Sequence, residues 1–169
     1  MKRLLLSVLF VLFFIKFNYA QVEMSKAQAM FCYNFTKFFD WPQSEKTGDF
    51  IMGVLGDRNL SSELEKATAG KKNVTQPIVV KYFRNINEVE KCHVIFVDAL
   101  KSNDISNVHS KTGLHCLIIT DSGSGIDKGA AIQFITQGDR LKYDFKSENA
   151  LKHGLKFHSK VKEMARNNY

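Results

Sequence analysis

The sequence contains few of the residues on which common enzyme and scaffold classes depend. Among its 169 residues are only three Cys and two Pro, too few for a disulfide scaffold or a Pro-rich linker. Cys-x-x-Cys, His-Glu-x-x-His and Gly-x-Ser-x-Gly motifs are absent, and the five His are spread along the chain without forming a metal-binding or catalytic motif. No catalytic residue or cofactor is therefore predicted, and no metal site is predicted from these motifs.

The first twenty residues have the layout of a secretory signal peptide. A basic head precedes the apolar run from Leu4 to Ile15, which is shorter than the about 20 residues of a spanning helix. We expect cleavage after Ala20, with an uncleaved anchor as the alternative, and a single domain over residues 21–169. Removing the leader's three basic residues lowers the formal net charge from +7 to +4. Export and this modest charge argue against a nucleic-acid partner and against stable membrane insertion after cleavage.

Apolar periodicity predicts an α/β fold. An aromatic helix is expected from Lys26 to Phe39, and a capping box at Ser62–Glu65 predicts the start of a later helix. Continuous apolar runs predict buried strands at residues 50–55, 77–83, 93–97 and 114–120. Residues 131–136 and 140–145 predict a hairpin. The expected fold is a mostly parallel central sheet flanked by helices on both faces, with a C-terminal antiparallel hairpin at one edge.

The aromatic helix is the candidate surface for binding a partner. Four of the chain's Phe residues lie between positions 31 and 39, and the sequence Trp41-Pro42 follows. Core packing is the simpler explanation of the aromatic residues of this helix as a whole. At its end, which we expect to be exposed, the predicted partner-binding residues are Phe38, Phe39, Trp41 and Pro42. On this hypothesis, Trp41→Ala weakens partner binding more than folding.

Acidic residues follow three of the predicted strands. Ligands of open parallel sheets bind at the carboxyl ends of the strands, where the sequence has Asp57, Asp98, Asp121 and Ser122. These side chains are candidate ligands for a metal or a polar metabolite. The alternative is that they start turns and cap helices, which Asp commonly does after strands.

Two of the three cysteines are candidates for a disulfide. Cys92 precedes the third predicted strand and Cys116 lies early in the fourth, so they approach each other if these strands are neighbours. The alternative is that both are ordinary buried thiols. An odd number of cysteines leaves at least one without a partner in the chain.

The segment from Lys26 to Pro42 carries the string Tyr-Asn-Phe-Thr-Lys-Phe-Phe-Asp-Trp-Pro. It resembles the opening of the YfiR-like family of small exported bacterial proteins, whose first helix has the pattern Tyr-Asn-Phe-x-Lys-Phe-x-x-Trp-Pro. The likeness continues in the family's order and spans about residues 26–166, including residues 53–57, 77–80, 92–96, 140–145 and 159–160.

This resemblance implies a non-enzymatic periplasmic regulator. Such a protein binds the periplasmic part of an inner-membrane signalling protein, a diguanylate cyclase or a sensor kinase, and restrains it. Family members also form dimers, so a homodimer is a further implied assembly. The chain lacks the cysteine-rich loop that some relatives have before the hairpin, so redox control through that loop is not expected. Gly53 stands where we align the usual partner of Cys92. The alternative function is a periplasmic small-molecule or metal-binding domain that uses the acidic residues.

Overall fold

A computed structural model describes residues 23–169, so the predicted signal peptide lies outside the described residues. The description begins with helix α1, residues 23–35, whose buried positions Ala29, Cys32 and Phe35 follow helical spacing. This helix ends earlier than predicted. Phe39–Asp40 instead form a short strand, β1, which pairs antiparallel with a late strand, β9, at Lys156–Phe157.

The main sheet has seven strands in the order β3-β4-β2-β5-β6-β7-β8. Strands β2, β4, β5, β6 and β7 are parallel, and the antiparallel pairs β3–β4 and β7–β8 lie at the two edges. The predicted fold class is confirmed, including the C-terminal hairpin at one edge. The strand bounds are β2 Phe50–Leu55, β3 Lys72–Asn73, β4 Gln76–Phe83, β5 Val94–Val97, β6 Leu117–Thr120, β7 Ile132–Gln137 and β8 Arg140–Phe145.

Helices cover both faces of the sheet because alternate residues of the central strands point to opposite sides. One layer packs β5 residues Val94 and Phe96 with α1 and α2, and the other packs Ile95 and Val97 with α3 and the turn before it. The helix bounds are α2 Arg58–Thr68, α3 Val108–Thr112, α4 Ser147–Lys152 and α5 Ser159–Glu163, with 3-10 turns at Gln43–Glu45, Ile86–Glu88 and Ala99–Asn107.

Two predicted element starts are wrong for local reasons. Helix α2 begins before the predicted capping box, because Asp57 caps it by accepting a hydrogen bond from the Leu60 amide at 3.0 Å. Strand β6 begins at Leu117 rather than at residue 114, because His115 has a left-handed backbone with φ +69° that a continuous strand does not allow.

Val74 is strained in the turn between β3 and β4. Asn73 pairs with Gln76, so Val74 and Thr75 form a two-residue turn, and Val74 takes φ +56° with its side chain 86% exposed. A left-handed backbone is unfavourable for a β-branched residue, and little apolar burial compensates for it here.

Val74→Asn is expected to raise the free energy of unfolding by about 1 kcal/mol, because Asn tolerates the left-handed region. In a domain of this size the thermal midpoint should rise by about 2–4 °C, which circular dichroism measures. Val74→Ala is the control, since it removes the same exposed branched side chain but lacks the amide group that lets Asn adopt a left-handed backbone. A thermal midpoint for Val74→Asn no higher than that of Val74→Ala would contradict the claim that the backbone at Val74 is strained.

Candidate functional site

The inner face of α1 is held by aromatic contacts. The rings of Phe35 and Tyr143 meet edge to face with centroids 4.9 Å apart, and Phe31 packs against Phe134 at 5.9 Å. Burial raises the pKa of Tyr143 to about 12, and its hydroxyl donates a hydrogen bond of 2.8 Å to the carbonyl of Val161. These contacts tie α1 to β8 and to α5, so the predicted aromatic helix does pack in the core.

The outer face of α1 borders an apolar groove of about 380 Å³. Met30 is 42% exposed on α1, and Met164, which follows α5, is 50% exposed on the other side. We call this feature the α1 groove. Its lining consists of Ala27, Met30, Phe31, Asn34, Phe35, Lys37, Phe38, Tyr143 and Met164.

The expectation that all four predicted partner-binding residues are exposed is wrong. Phe38 lines the α1 groove, and Pro42 is half-buried, but Phe39 and Trp41 are each only 4% exposed. Phe39 is buried because β1 pairs with β9, which brings its ring onto Phe157.

Trp41 has the contacts of a core residue. Its indole nitrogen donates a hydrogen bond of 2.8 Å to the carbonyl of His115, and its ring meets Phe50 edge to face at 4.8 Å. Trp41→Ala therefore removes core packing, contrary to the hypothesis that it affects binding more than folding. The partner-binding role of the four residues stays a prediction.

The acidic residues do lie at the carboxyl ends of three adjacent strands, β2, β5 and β6. Two of them cap helical turns, since Asp57 accepts from the Leu60 amide and Asp98 from the Leu100 amide. Asp121 differs, because its buried Oδ1 atom has no hydrogen-bond partner within residues 23–169. Burial, and then the charge of Asp98, raise the pKa of Asp121.

Ser122 is buried beside this carboxylate, and its hydroxyl lies 3.4 Å from that of Ser124. Among the described residues, no cluster of three or more His, Cys, Asp or Glu side chains has a geometry that holds a metal ion. A ligand at Asp57, Asp98, Asp121 and Ser122 stays a prediction.

Cys92 and Cys116 are both free, buried thiols that face the same layer of the core. Burial raises the pKa of Cys92 to about 12, and it raises that of Cys116 as well, with a further contribution from nearby Cys92. A Cβ atom at Gly53 would lie 2.9 Å from the Cys92 sulfur, so the glycine makes room for this thiol. Pairing of Cys92 with Cys116 stays a prediction.

Four of the five histidines, which are scattered in the sequence, come together in two groups. The Nε2 atoms of His109 and His153 are 2.6 Å apart, and His153 Nε2 also lies 3.1 Å from the carbonyl of Gly129. Because a carbonyl oxygen can only accept a hydrogen bond, His153 Nε2 carries the proton. His109 Nε2 is therefore unprotonated and accepts a hydrogen bond from His153 Nε2. This pair joins the first turn of α3 to the C-terminal end of α4.

The second histidine group surrounds Glu45. The Glu45 carboxylate contacts Lys91 at 2.7 Å and His115 Nδ1 at 3.6 Å, while its backbone carbonyl lies 3.0 Å from His93 Nε2. Burial opposes ionisation of Glu45, but the hydrogen bond and charge of Lys91 outweigh it and lower the pKa of the carboxyl group. The periodicity of apolar residues in the sequence does not predict either histidine group, since both depend on contacts between distant segments of the chain.

Two comparisons bear on function. A family model described as YfiR/HmsC-like matches residues 25–166, which is most of the chain. No curated protein matches it. Within residues 23–169, every helix is too short or too polar to cross a membrane.

The His109–His153 pair makes stability depend on pH. Burial lowers the pKa of His153 to about 4 from 6.5, and burial also lowers that of His109. The unfolded chain therefore binds protons at these two histidines more readily than the folded protein does. The contribution of the neutral pair to the free energy of unfolding is fully present above pH 6.5 and is lost as the pH falls towards 4. The expected loss is on the order of 2–3 kcal/mol, measured by urea unfolding at several pH values.

His153→Gln keeps a donor for Gly129 but does not titrate, so its stability should vary less over this range. His158→Gln replaces an exposed histidine and is the control. The raised pKa of Asp121 makes a contribution to stability that is lost as the pH rises, opposite to the effect of the histidine pair. Comparing the variants with each other removes this contribution, because Asp121 is present in all of them. Equal pH dependence in the wild type and His153→Gln would contradict this account.

Proposed function

The chain belongs to the YfiR/HmsC-like family, and from that premise we propose that it is a non-enzymatic periplasmic regulator. Family membership indicates regulation of cyclic di-GMP signalling. The proposed partner is the periplasmic part of an inner-membrane signalling protein, a diguanylate cyclase or a sensor kinase, which the regulator restrains. Export through the predicted signal peptide would bring the protein to that compartment.

The observation that carries this proposal is the exposed apolar wall of the α1 groove. Met30 and Met164 expose flexible thioether side chains in this lining, and Phe38 belongs to it as well. Methionine adapts to the shape of a bound partner, and aromatic side chains supply much of the free energy at the centre of interfaces. The groove therefore suits an apolar segment of a protein partner.

The predicted partner-binding residues divide into two roles under this proposal. Phe38 contributes directly to the groove, and its carbonyl accepts a hydrogen bond of 2.8 Å from the His158 amide. Phe39 and Trp41 act from the core, because their contacts fix where the chain leaves α1. Pro42 is half-buried just beyond them and would lie at the edge of the interface.

The alternative function, ligand binding at the acidic residues, has weaker support. Asp57 and Asp98 each use one carboxylate oxygen to cap a helical turn, which accounts for both residues without a ligand. Only Asp121 has a buried oxygen without a partner among the described residues at this edge.

Restraint requires a difference in affinity between two states of the partner. A regulator that binds the inactive conformation more tightly shifts the partner towards it, and about 1.4 kcal/mol of difference changes the ratio tenfold. Docking of an apolar surface that one state presents and the other hides would supply that difference.

Met30→Asp is expected to weaken binding to the membrane partner by about tenfold or more, because it places a charge in an apolar interface. In cells, release of a cyclase would raise cyclic di-GMP. Leu100→Asp is the matched control, since Leu100 is 93% exposed on the opposite layer of the sheet. Both variants should keep the wild-type thermal midpoint.

A photo-reactive amino acid at position 30 identifies what the groove contacts in whole cells, with position 100 as the control. The expected product joins the protein to an inner-membrane protein that has a periplasmic domain and a signalling output. Crosslinking only to a second copy of the chain would make the groove a dimer interface and contradict the proposal. Equal effects of Met30→Asp and Leu100→Asp on signalling would also contradict it.

A further inference from the structure

A second cavity, of about 260 Å³, lies beyond the end of α1, and its lining includes three lysines. We call it the lysine cavity. Lys37 comes from the turn after α1, Lys46 follows the first 3-10 turn, and Lys72 belongs to β3, so three separate segments bring positive charge to one place. Asp40 is the only acidic residue of the lining, which consists of Tyr33, Thr36, Lys37, Phe39, Asp40, Trp41, Lys46, Lys72, Asn73, Val74, Thr75 and Gln76.

Tyr33 gathers additional positive charge at this cavity. The ammonium of Lys37 lies 4.6 Å from the centre of the Tyr33 ring, and that of Lys71 lies 4.4 Å from it. Two cations held by one ring repel each other, and a bound anion would reduce that repulsion. The nearby carboxylate of Glu45 does not neutralise the site, because it is paired with Lys91 at 2.7 Å.

Hydrogen bonds hold two other residues of the lysine cavity in place. Gln76 is buried, and its side-chain nitrogen donates to the carbonyls of Glu45 at 3.0 Å and Thr47 at 3.3 Å. Trp41 is fixed by its bond to His115. On the rim, Val74 holds its strained left-handed backbone, and strain of this kind is concentrated at ligand-binding segments.

We propose that the lysine cavity binds a phosphoryl group. Three lining lysines against one aspartate favour a ligand with at least two negative charges, as a phosphate monoester or pyrophosphate carries. Lysine binds phosphate as a point charge, whereas planar carboxylates are better matched by arginine, which the lining lacks. Asn73 and Thr75 add an amide and a hydroxyl group at the hairpin.

The phosphoryl group has two potential sources, a soluble phosphate compound or a phospholipid headgroup. Both offer the same chemistry to the lysines, and the exposed Lys71-Lys72 pair would approach either one. This inference goes beyond the proposed regulatory function and does not depend on it, because the α1 groove and the lysine cavity have different linings apart from Lys37.

The test titrates the purified protein with inorganic pyrophosphate and, separately, with vesicles that contain phosphatidic acid, whose headgroup is a phosphate monoester, using phosphatidylcholine vesicles as the neutral reference. Calorimetry measures the first interaction and co-sedimentation the second. Trp41, the single tryptophan of the chain, lines the cavity and reports binding by fluorescence. The double variant Lys46→Gln/Lys72→Gln should raise the dissociation constant by about tenfold or more.

Lys111→Gln/Lys142→Gln is the matched control, because it removes the same charge from two exposed lysines outside the cavity. It should change the dissociation constant by less than about twofold. Pyrophosphate binding that depends on Lys46 and Lys72 identifies a soluble ligand. If only binding to the phosphatidic acid vesicles depends on these two lysines, the ligand is a lipid headgroup. No binding to either probe, or equal losses in both double variants, would overturn the proposal.

Discussion

The contact between Phe35 of α1 and Tyr143 of β8 is the interaction on which the rest of the molecule depends. It seats the first helix on the last long strand, and the Tyr143 hydroxyl extends the contact to Val161 in α5. Both walls of the α1 groove are therefore set by one buried tyrosine. The inner face of α1 is committed to the core, which leaves its outer face free to bind without loss of stability.

The chain just after α1 places two surfaces next to each other. Strand β1 pairs with β9, and the Trp41 indole donates a hydrogen bond to the backbone carbonyl of His115, just before β6. Because this segment is fixed from both sides, Lys37 lies between the α1 groove and the lysine cavity and lines both of them. A charge bound in the cavity would thus act close to the docking surface.

The elements with strong local signals were predictable from the sequence, and those that depend on distant partners were not. Apolar runs located β2 and the β7–β8 hairpin within one residue, and the alternation of elements gave the parallel sheet. The two-residue strands β1 and β9 have no periodicity to detect. The burial of Trp41 cannot be predicted from nearby residues, because its hydrogen-bond partner lies 74 residues away in the sequence. The His109–His153 contact is not predictable for the same reason, since 44 residues separate the two histidines.

Oxidation of methionines tests most directly the claim that a partner covers the outer face of α1. The purified protein and the protein in intact cell envelopes would be exposed to the same dose of peroxide and compared by mass spectrometry. Met30 and Met164 should oxidise readily when the protein is alone and be protected in envelopes, while buried Met52 stays slow in both. Equal oxidation of Met30 and Met164 in the two preparations would contradict the account.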